Sequence, residues 1–475
     1  MRVSEYFGLQ RSQPELDFVD VDLDSDLPVF VDPRALRLFD TEWGNECVHL
    51  IQHFFQTVLD AIRSAQSDHA IALLSSLREP NETRLGFSTG RPRGRGMGRE
   101  SARDLWTALG RSEAVRTGLL EDLEDTILTV EGIGPDIVSD IATNVVRESL
   151  INYTQVMATA YEIPLTTGVD SGALWDPQAG GWAQRFTALP IADSRKLLLV
   201  PKAIVRRRMD FDVGEYYRHY LLPALQEIEL SDATSDLVHL LKSGEPRVYK
   251  ADLERKYGTG KRATIDLTMQ HPDVLDTYRS AKSTPSPPLG HDDIADLEGT
   301  ERPNLDGLLS TVRAIPAGAA DADSYHRSVE SLLSALLYPA LAFPQLEHEI
   351  HQGRKRIDIT YTNVSTTGFF HWLADHYPAP HIFVECKNYS RDPANPELDQ
   401  LAGRFSPRRG KFGLLVCRSI ADKDRFRARC RDTADDDRGY IVALDDDDLV
   451  DLVEYVKTTD RQYWWFKQRF DDLID

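Results

Sequence analysis

Several things are missing from this chain, and each absence removes a class of function. Its four cysteines stand at 47, 386, 417 and 430, and no two form a CxxC pair. Neither a zinc ribbon nor a disulfide framework is expected, only reduced, buried thiols. No apolar run approaches the roughly 20 residues of a membrane-crossing helix. The longest tight runs, KLLLVP and GLLVC, suit buried strands, and no membrane partner is expected. The first residues, MRVSEYFGLQ, lack the charged start and apolar core of a secretory signal, which predicts a cytoplasmic protein. Positive charge is also short. The 55 Lys and Arg face 76 Asp and Glu, a net charge of −21 whose field repels nucleic acid. Binding to DNA or RNA would need local basic patches.

What is present is a long chain of ordinary globular composition. At 475 residues it exceeds one hydrophobic core, so two or three domains are expected. The patterning predicts a multidomain α+β protein. Residues 1–165 read as mostly helical. Val48, Ile51, Phe54, Phe55, Val58, Leu59 and Ile62 fall at helical spacing. SARDLWTALG and the long run DIVSDIATNVVRESLINYTQVMATAY read as further helices. Residues 166–280 form a mixed α/β middle region suited to recognition or partner binding. There KLLLVPKAIVRRR predicts strand, turn, strand, GEYYRHYLLPALQEIEL a helix up to its proline, and SDLVHLLKSG a helix. Residues 281–323, rich in Pro, Ser, Gly and Asp, read as a linker. Residues 324–475 alternate strands and helices, predicting an α/β domain around a central mixed sheet. The acidic run DDDD at 445–448 reads as a loop or helix start.

Chemistry concentrates in HIFVECKN. Strand side chains alternate, so Phe383, Glu385 and Lys387 share one face, while Ile382, Val384 and Cys386 share the other. Two charges then sit at the strand's C-terminal end, where ligand crevices of open α/β sheets form. The tripeptide alone is no signal: Glu254-Arg255-Lys256 in DLERKYG follows no apolar run and reads as an exposed helix face. Upstream, RKRIDITYT places Arg356, Asp358 and Thr360 on one face of a strand, with Ile357 and Ile359 on the other. A carboxylate between two isoleucines is costly without a partner. A second carboxylate on a neighbouring strand adds repulsion. A divalent cation answers both. Asp358, Glu385 and the main-chain carbonyl of Cys386 offer oxygen ligands to Mg²⁺ (or Mn²⁺), with waters completing an octahedron. Lys387 can orient or deprotonate a water and meet the charge developing on a phosphate. The alternative is a buried ion pair in which Lys387 only neutralises the acids.

These residues make residues 324–456 resemble the PD-(D/E)xK nuclease superfamily, with its restriction-endonuclease-like fold, and most of all its Mrr-like restriction branch. The resemblance covers under a third of the chain. It matches Glu330 in SVESLL to a helix acid, Asp358 to the strand Asp, ECK to Glu-x-Lys, and Gln400 in LDQLAGRF to a glutamine on the next helix. The chain departs from the pattern at Ile357, where proline often stands. It departs again at Arg404, where an aromatic often follows the glutamine; here Phe405 comes one later.

Two basic stretches flank these elements and could hold phosphates. HQGRKR offers Arg354 and Arg356, and RFSPRRGK offers Arg408, Arg409 and Lys411. Further basic patches are IVRRRMDF and GRPRGRGMGR, the latter without the Lys-Ser/Thr ending of a P-loop. VEGIGPDIV resembles the hairpin of a helix-hairpin-helix, but Asp136 stands where a basic residue is usual, and a plain helix start with Pro135 in its first turn is the preferred reading.

The expectation is thus a Mg²⁺-dependent endonuclease acting on nucleic acid. The resemblance implies double-stranded DNA as substrate and restriction or anti-phage defence as context. RNA cleavage by the same fold stays open, as does a non-catalytic scaffold or a nuclease subunit of a defence complex. A homo-oligomer or a defence-complex partner is compatible with the large N-terminal region.

Overall fold

The computed structural model describes residues 1–86, 99–350, 355–459 and 462–474, and only the backbone of 99–101, 347–350 and 355–357. The GRPRGRGMGR patch up to Gly98 and Arg354 therefore fall outside the described residues, as do the side chains of Arg99 and Arg356. No helix among the described residues is long and apolar enough to cross a membrane.

The molecule is a multidomain α+β structure with two hydrophobic cores. The first runs from Val3 to Ile294 and also takes in Tyr338, Ala342, Phe343 and Val364. The second runs from Leu305 to Leu473. The apolar stripe around Phe54 forms the helix Glu42–Arg63, capped by Thr41 Oγ1 accepting from the Gly44 amide at 3.1 Å. Four sequence expectations in this half need correction. The long helical run is two helices, Pro135–Val145 and Arg147–Ala160, broken at the β-branched Val146. Leu197–Val200 is buried but not a strand, because its amides bond to the Glu82 carbonyl and the Thr154 hydroxyl instead of a ladder. The helix beginning at Val213 passes through Pro223 to Ser231: a π-helical turn, Tyr217–Leu221, places the proline in the first turn of the next α segment, where no N–H is needed. Near SDLVHLLKSG the chain forms a small hairpin, His239–Leu240 with Pro246–Arg247, turned by Gly244.

No break in the core falls at 165/166. The first core is continuous across it, and an antiparallel hairpin, Thr166–Asp176 with Gly181–Leu189, lays Trp175 and Trp182 on Phe54. Nor is 281–323 an unstructured linker. It contains the helices His291–Glu298 and Leu305–Ala314, and Leu305, Leu309 and Val312 bury one face in the second core. Their short lengths between prolines and glycines hide the helical period.

The second core surrounds one sheet. Its elements are α1 (Ala322–Leu337), β1 (Leu341–Ile350), β2 (Lys355–Asn363), α2 (Gly368–His376), β3 (His381–Lys387), α3 (Asn395–Ala402), β4 (Phe412–Cys417), α4 (Lys423–Asp435), β5 (Tyr440–Leu444), α5 (Asp446–Thr458) and α6 (Trp464–Ile474). The strand order is β5-β4-β3-β2-β1. β1, β2 and β3 pair antiparallel, and β3, β4 and β5 pair parallel through α3 and α4. Ile359 stands opposite Val384 and Thr360 opposite Phe383. One face of β3 (Ile382, Val384, Cys386) is buried on the side of α1, where Tyr361 donates to the Glu330 carbonyl at 3.3 Å. The other face meets α3 and the loop after it, with Phe383 against Phe405 at 5.7 Å. The acidic run starts α5, and Asp445 and Asp448 share Lys423.

β1 carries a bulge. Thr360 pairs with Gln345 and Thr362 with Ala342, so Phe343 and Pro344 together oppose Tyr361. Phe343 takes a left-handed conformation, φ 56°, and its amide donates to Asp17 Oδ1 at 2.7 Å. Its ring enters the first core, 5.2 Å from Tyr153 and 5.8 Å from Trp43.

Candidate active site

Extending the β2–β3 register by one residue sets Asp358 across from Glu385 at the C-terminal end of β3. Alternation puts Glu385 and Lys387 on the α3 face, as the sequence predicts. Glu385 is fully buried. Its Oε1 accepts from Lys387 Nζ at 2.6 Å and from Gln400 Nε2 at 2.6 Å. Lys387 Nζ also reaches Gln400 Oε1 at 3.2 Å. Glu385 Oε2 is in contact with the guanidinium of Arg404, a buried residue just past α3. Burial lowers the proton affinity of Arg404, and the charge of Asp358 opposes this.

Asp358 is more open. Its Oδ2 accepts the Cys386 amide at 2.8 Å and lies 4.0 Å from His326 Nε2. The same His326 nitrogen stands 3.1 Å from the Cys386 carbonyl oxygen. Asp358 and His326 line a groove of about 820 Å³ whose far wall is the helix Arg147–Ala160 of the first body, through Asn152, Gln155 and Thr159.

The remaining expected residues divide. Gln400 joins the cluster. Glu330 does not: it is buried against the first body, with Oε2 2.6 Å from Arg11 Nη1 and Oε1 accepting from Ser334 at 2.9 Å. Cys386 is a core residue whose thiol burial pushes well above its usual range, the charge of Asp358 adding to the effect. All four cysteines are buried and unpaired. Arg408, Arg409 and Lys411 lie at the opposite end of the sheet. The chain runs back along it after Arg404, and at Gly410 (φ 112°) an added Cβ would meet the carbonyl oxygen of His381, at the start of β3. Arg409 donates to the Arg404 carbonyl at 3.2 Å, Lys411 pairs with Asp437 at 2.8 Å, and Arg408 is exposed. This half of the expected phosphate grip is therefore not beside Asp358.

The residues expected to hold a divalent cation do not offer themselves together. Glu385 is engaged at both oxygens, and the Cys386 carbonyl faces His326. Among the described residues no group of three or more His, Cys, Asp or Glu side chains is placed to hold a metal. The cluster is already neutral: Asp358 and Glu385 face Lys387 and Arg404. As arranged, it does not fit a bound metal.

Two members escape the strand pattern. His326 comes from α1, one turn before Glu330, and could have been found only as a second polar residue on that helix face. Arg404 is visible in the sequence as a departure from the nuclease pattern, and that departure is its signal.

A family model described as a domain of unknown function, DUF8370, matches residues 8–212, whose described part contributes to the first core and runs across the 165/166 boundary. No curated protein and no solved structure matches the chain.

Proposed function

We propose that the C-terminal domain hydrolyses phosphodiester bonds in nucleic acid. The observation that carries this reading is the pairing of β2 with β3, which sets Asp358 opposite Glu385, beside Lys387 of the same strand and Gln400 of α3, both bonded to Glu385 Oε1. Two acids and a lysine at one strand end are the groups this chemistry uses. Asp358, which lines the groove, is placed to receive a proton from an attacking water or to orient it. Lys387 Nζ is a fixed cation for charge developing on phosphate oxygens, and Gln400 holds it against Glu385. Mg²⁺ or Mn²⁺ is the cofactor that the resemblance to the PD-(D/E)xK superfamily implies for this chemistry, and the paired Glu385 does not itself offer it a ligand. Double-stranded DNA as substrate and a restriction or anti-phage role extend the proposal from the resemblance to Mrr-like nucleases.

A second reading draws on the saturation of Glu385. In a scaffold that has kept the fold, Lys387 and Arg404 would serve only to neutralise a buried acid. One experiment separates the two. The full chain is incubated with plasmid DNA and with RNA, in Mg²⁺, Mn²⁺ or EDTA, beside Asp358→Ala and Lys387→Ala. Metal-dependent cutting lost in both variants supports the nuclease. Cutting that persists in both places the active site elsewhere, and no cutting under any condition favours the scaffold.

A further inference from the structure

We propose that the cavity between the 3₁₀ turn Pro33–Leu38 and the helix Pro272–Ala281 is a binding site for a small oxyanion, a carboxylate or phosphate group received by Arg34. It lies in the first body and is independent of the C-terminal chemistry.

The cavity holds about 300 Å³, and Arg34, Arg37, Arg279, Glu124 and Phe211 are among the residues that wall it. That size is at the lower end for ligand sites and suits a metabolite-sized molecule, not a polymer. Arg34 and Arg37 stand three apart in the 3₁₀ turn, where side chains at that spacing eclipse, so both reach the same space. The Arg34 guanidinium is fixed at two points. It lies over the Phe211 ring, 4.8 Å from the centroid, and its Nη2 donates to the Lys282 carbonyl. Its Nη1 is buried with no hydrogen-bond partner among the described residues, on a residue only 4% exposed. A buried guanidinium nitrogen left unbonded is costly, and an oxyanion is the acceptor that guanidinium geometry fits best.

The other charges around the cavity are already answered. Arg37 Nη2 reaches Asp122 at 2.7 Å. Arg279 Nη2 reaches Asp125 at 2.6 Å, and its Nη1 lies 3.4 Å from Glu121. Asp32 stands two residues before Arg34, yet its Oδ1 is taken by the Arg34 backbone amide at 2.9 Å. Burial pushes Glu124 up to about 8, with Asp122 adding to the effect and Arg37 opposing it. At neutral pH its carboxyl is therefore protonated, and it can donate to a bound anion instead of repelling it. Of the three arginines, Arg34 is the one left with donor capacity facing an enclosed space.

The test is calorimetric titration and thermal melting of the full-length protein with inorganic phosphate and, separately, with acetate, each against chloride at equal ionic strength. Wild type is compared with Arg34→Met, Arg34→Lys and, as a control at an exposed arginine, Arg208→Met. At least one anion should bind wild type at a single site and raise its melting temperature. Arg34→Met should weaken that binding by about tenfold or more, the scale of a lost hydrogen bond to a charged group. Arg34→Lys should weaken it less, and Arg208→Met should leave it unchanged. Binding of phosphate alone identifies a phosphoryl ligand, binding of acetate alone a carboxylate, and binding of both a site that reads charge; each supports the proposal. No single-site binding of either anion, or equal binding by Arg34→Met, overturns it and leaves a water-filled cavity. If Arg34→Met does not fold, hydrogen exchange on the wild type decides: the anion should slow exchange across Pro33–Leu38 and Pro272–Ala281, and no change there overturns the proposal.

Discussion

Arg11 Nη1 lies 2.6 Å from Glu330 Oε2, joining residues 319 positions apart in the chain. The Glu330 side chain is 1% exposed and that of Arg11 14%, with the guanidinium 5.0 Å from the Tyr161 ring. Burial would lower the Arg11 proton affinity, but Glu330 and Tyr161 outweigh it and the net shift is upward. Arg11→Met leaves Glu330 buried without its cation and should destabilise the protein by about 3 kcal/mol. Adding Glu330→Met should recover most of that loss. Urea unfolding of the two single variants and the double variant measures the coupling, and additive losses would show that the pair does not join the bodies.

Lys387→Ala should reduce cutting by about 100-fold or more, since a fixed cation facing developing charge is lost. Gln400 and Arg404 still hold Glu385, so the melting temperature should stay within a few degrees of wild type. Plasmid cleavage and a thermal melt on one preparation test both parts. A cutting rate that survives the substitution would remove Lys387 from the chemistry.

His326, from α1, stands 3.1 Å from the Cys386 carbonyl oxygen and 4.0 Å from Asp358. His326→Gln keeps a polar donor there and His326→Leu does not. Cleavage should fall by about tenfold in the leucine variant, the scale of a lost positioning hydrogen bond, and by less in the glutamine variant. Equal losses in the two would show that packing, not the hydrogen bond, is what His326 supplies.

Glu124, in the first body, has its pKa pushed up to about 8 by burial, with Asp122 adding to the effect and Arg37 opposing it. The unfolded value is near the ordinary 4.5. A raised folded pKa gives stability that is present below the unfolded value and lost as pH rises through the folded one, so the window is about pH 4.5 to 8. Glu124→Gln should therefore melt higher than wild type at pH 8, and the difference should shrink towards pH 5. Melting curves across that range check the sign. A constant difference would mean that Glu124 ionises normally.

The parts of the site that the sequence exposes are those set by strand alternation. Asp358, Glu385 and Lys387 sit on strands whose apolar faces mark them, and the register places the acids together. Gln400 lies on the next helix, a short crossover away. Glu330 is legible as an acid on a helix, but nothing near it in the chain shows that Arg11 takes it. The direction of the chain after Arg404 is also hidden, and for that reason Arg408, Arg409 and Lys411 sit at the far end of the sheet. The middle of the first body is the least legible, because buried segments such as Leu197–Val200 satisfy their amides without regular structure.

The bulge at Phe343 sets where this molecule could be divided. Its ring and amide are received by Asp17, Trp43 and Tyr153, all within residues 8–212. A breakpoint near residue 300 would sever the edge strand from its socket. A chimaera carrying only the C-terminal sheet would expose Phe343 and an unfilled bulge, and the N-terminal half would keep a vacant aromatic seat. The two halves fit as a lock and its bolt, so an exchange that preserved this contact would have to transfer both.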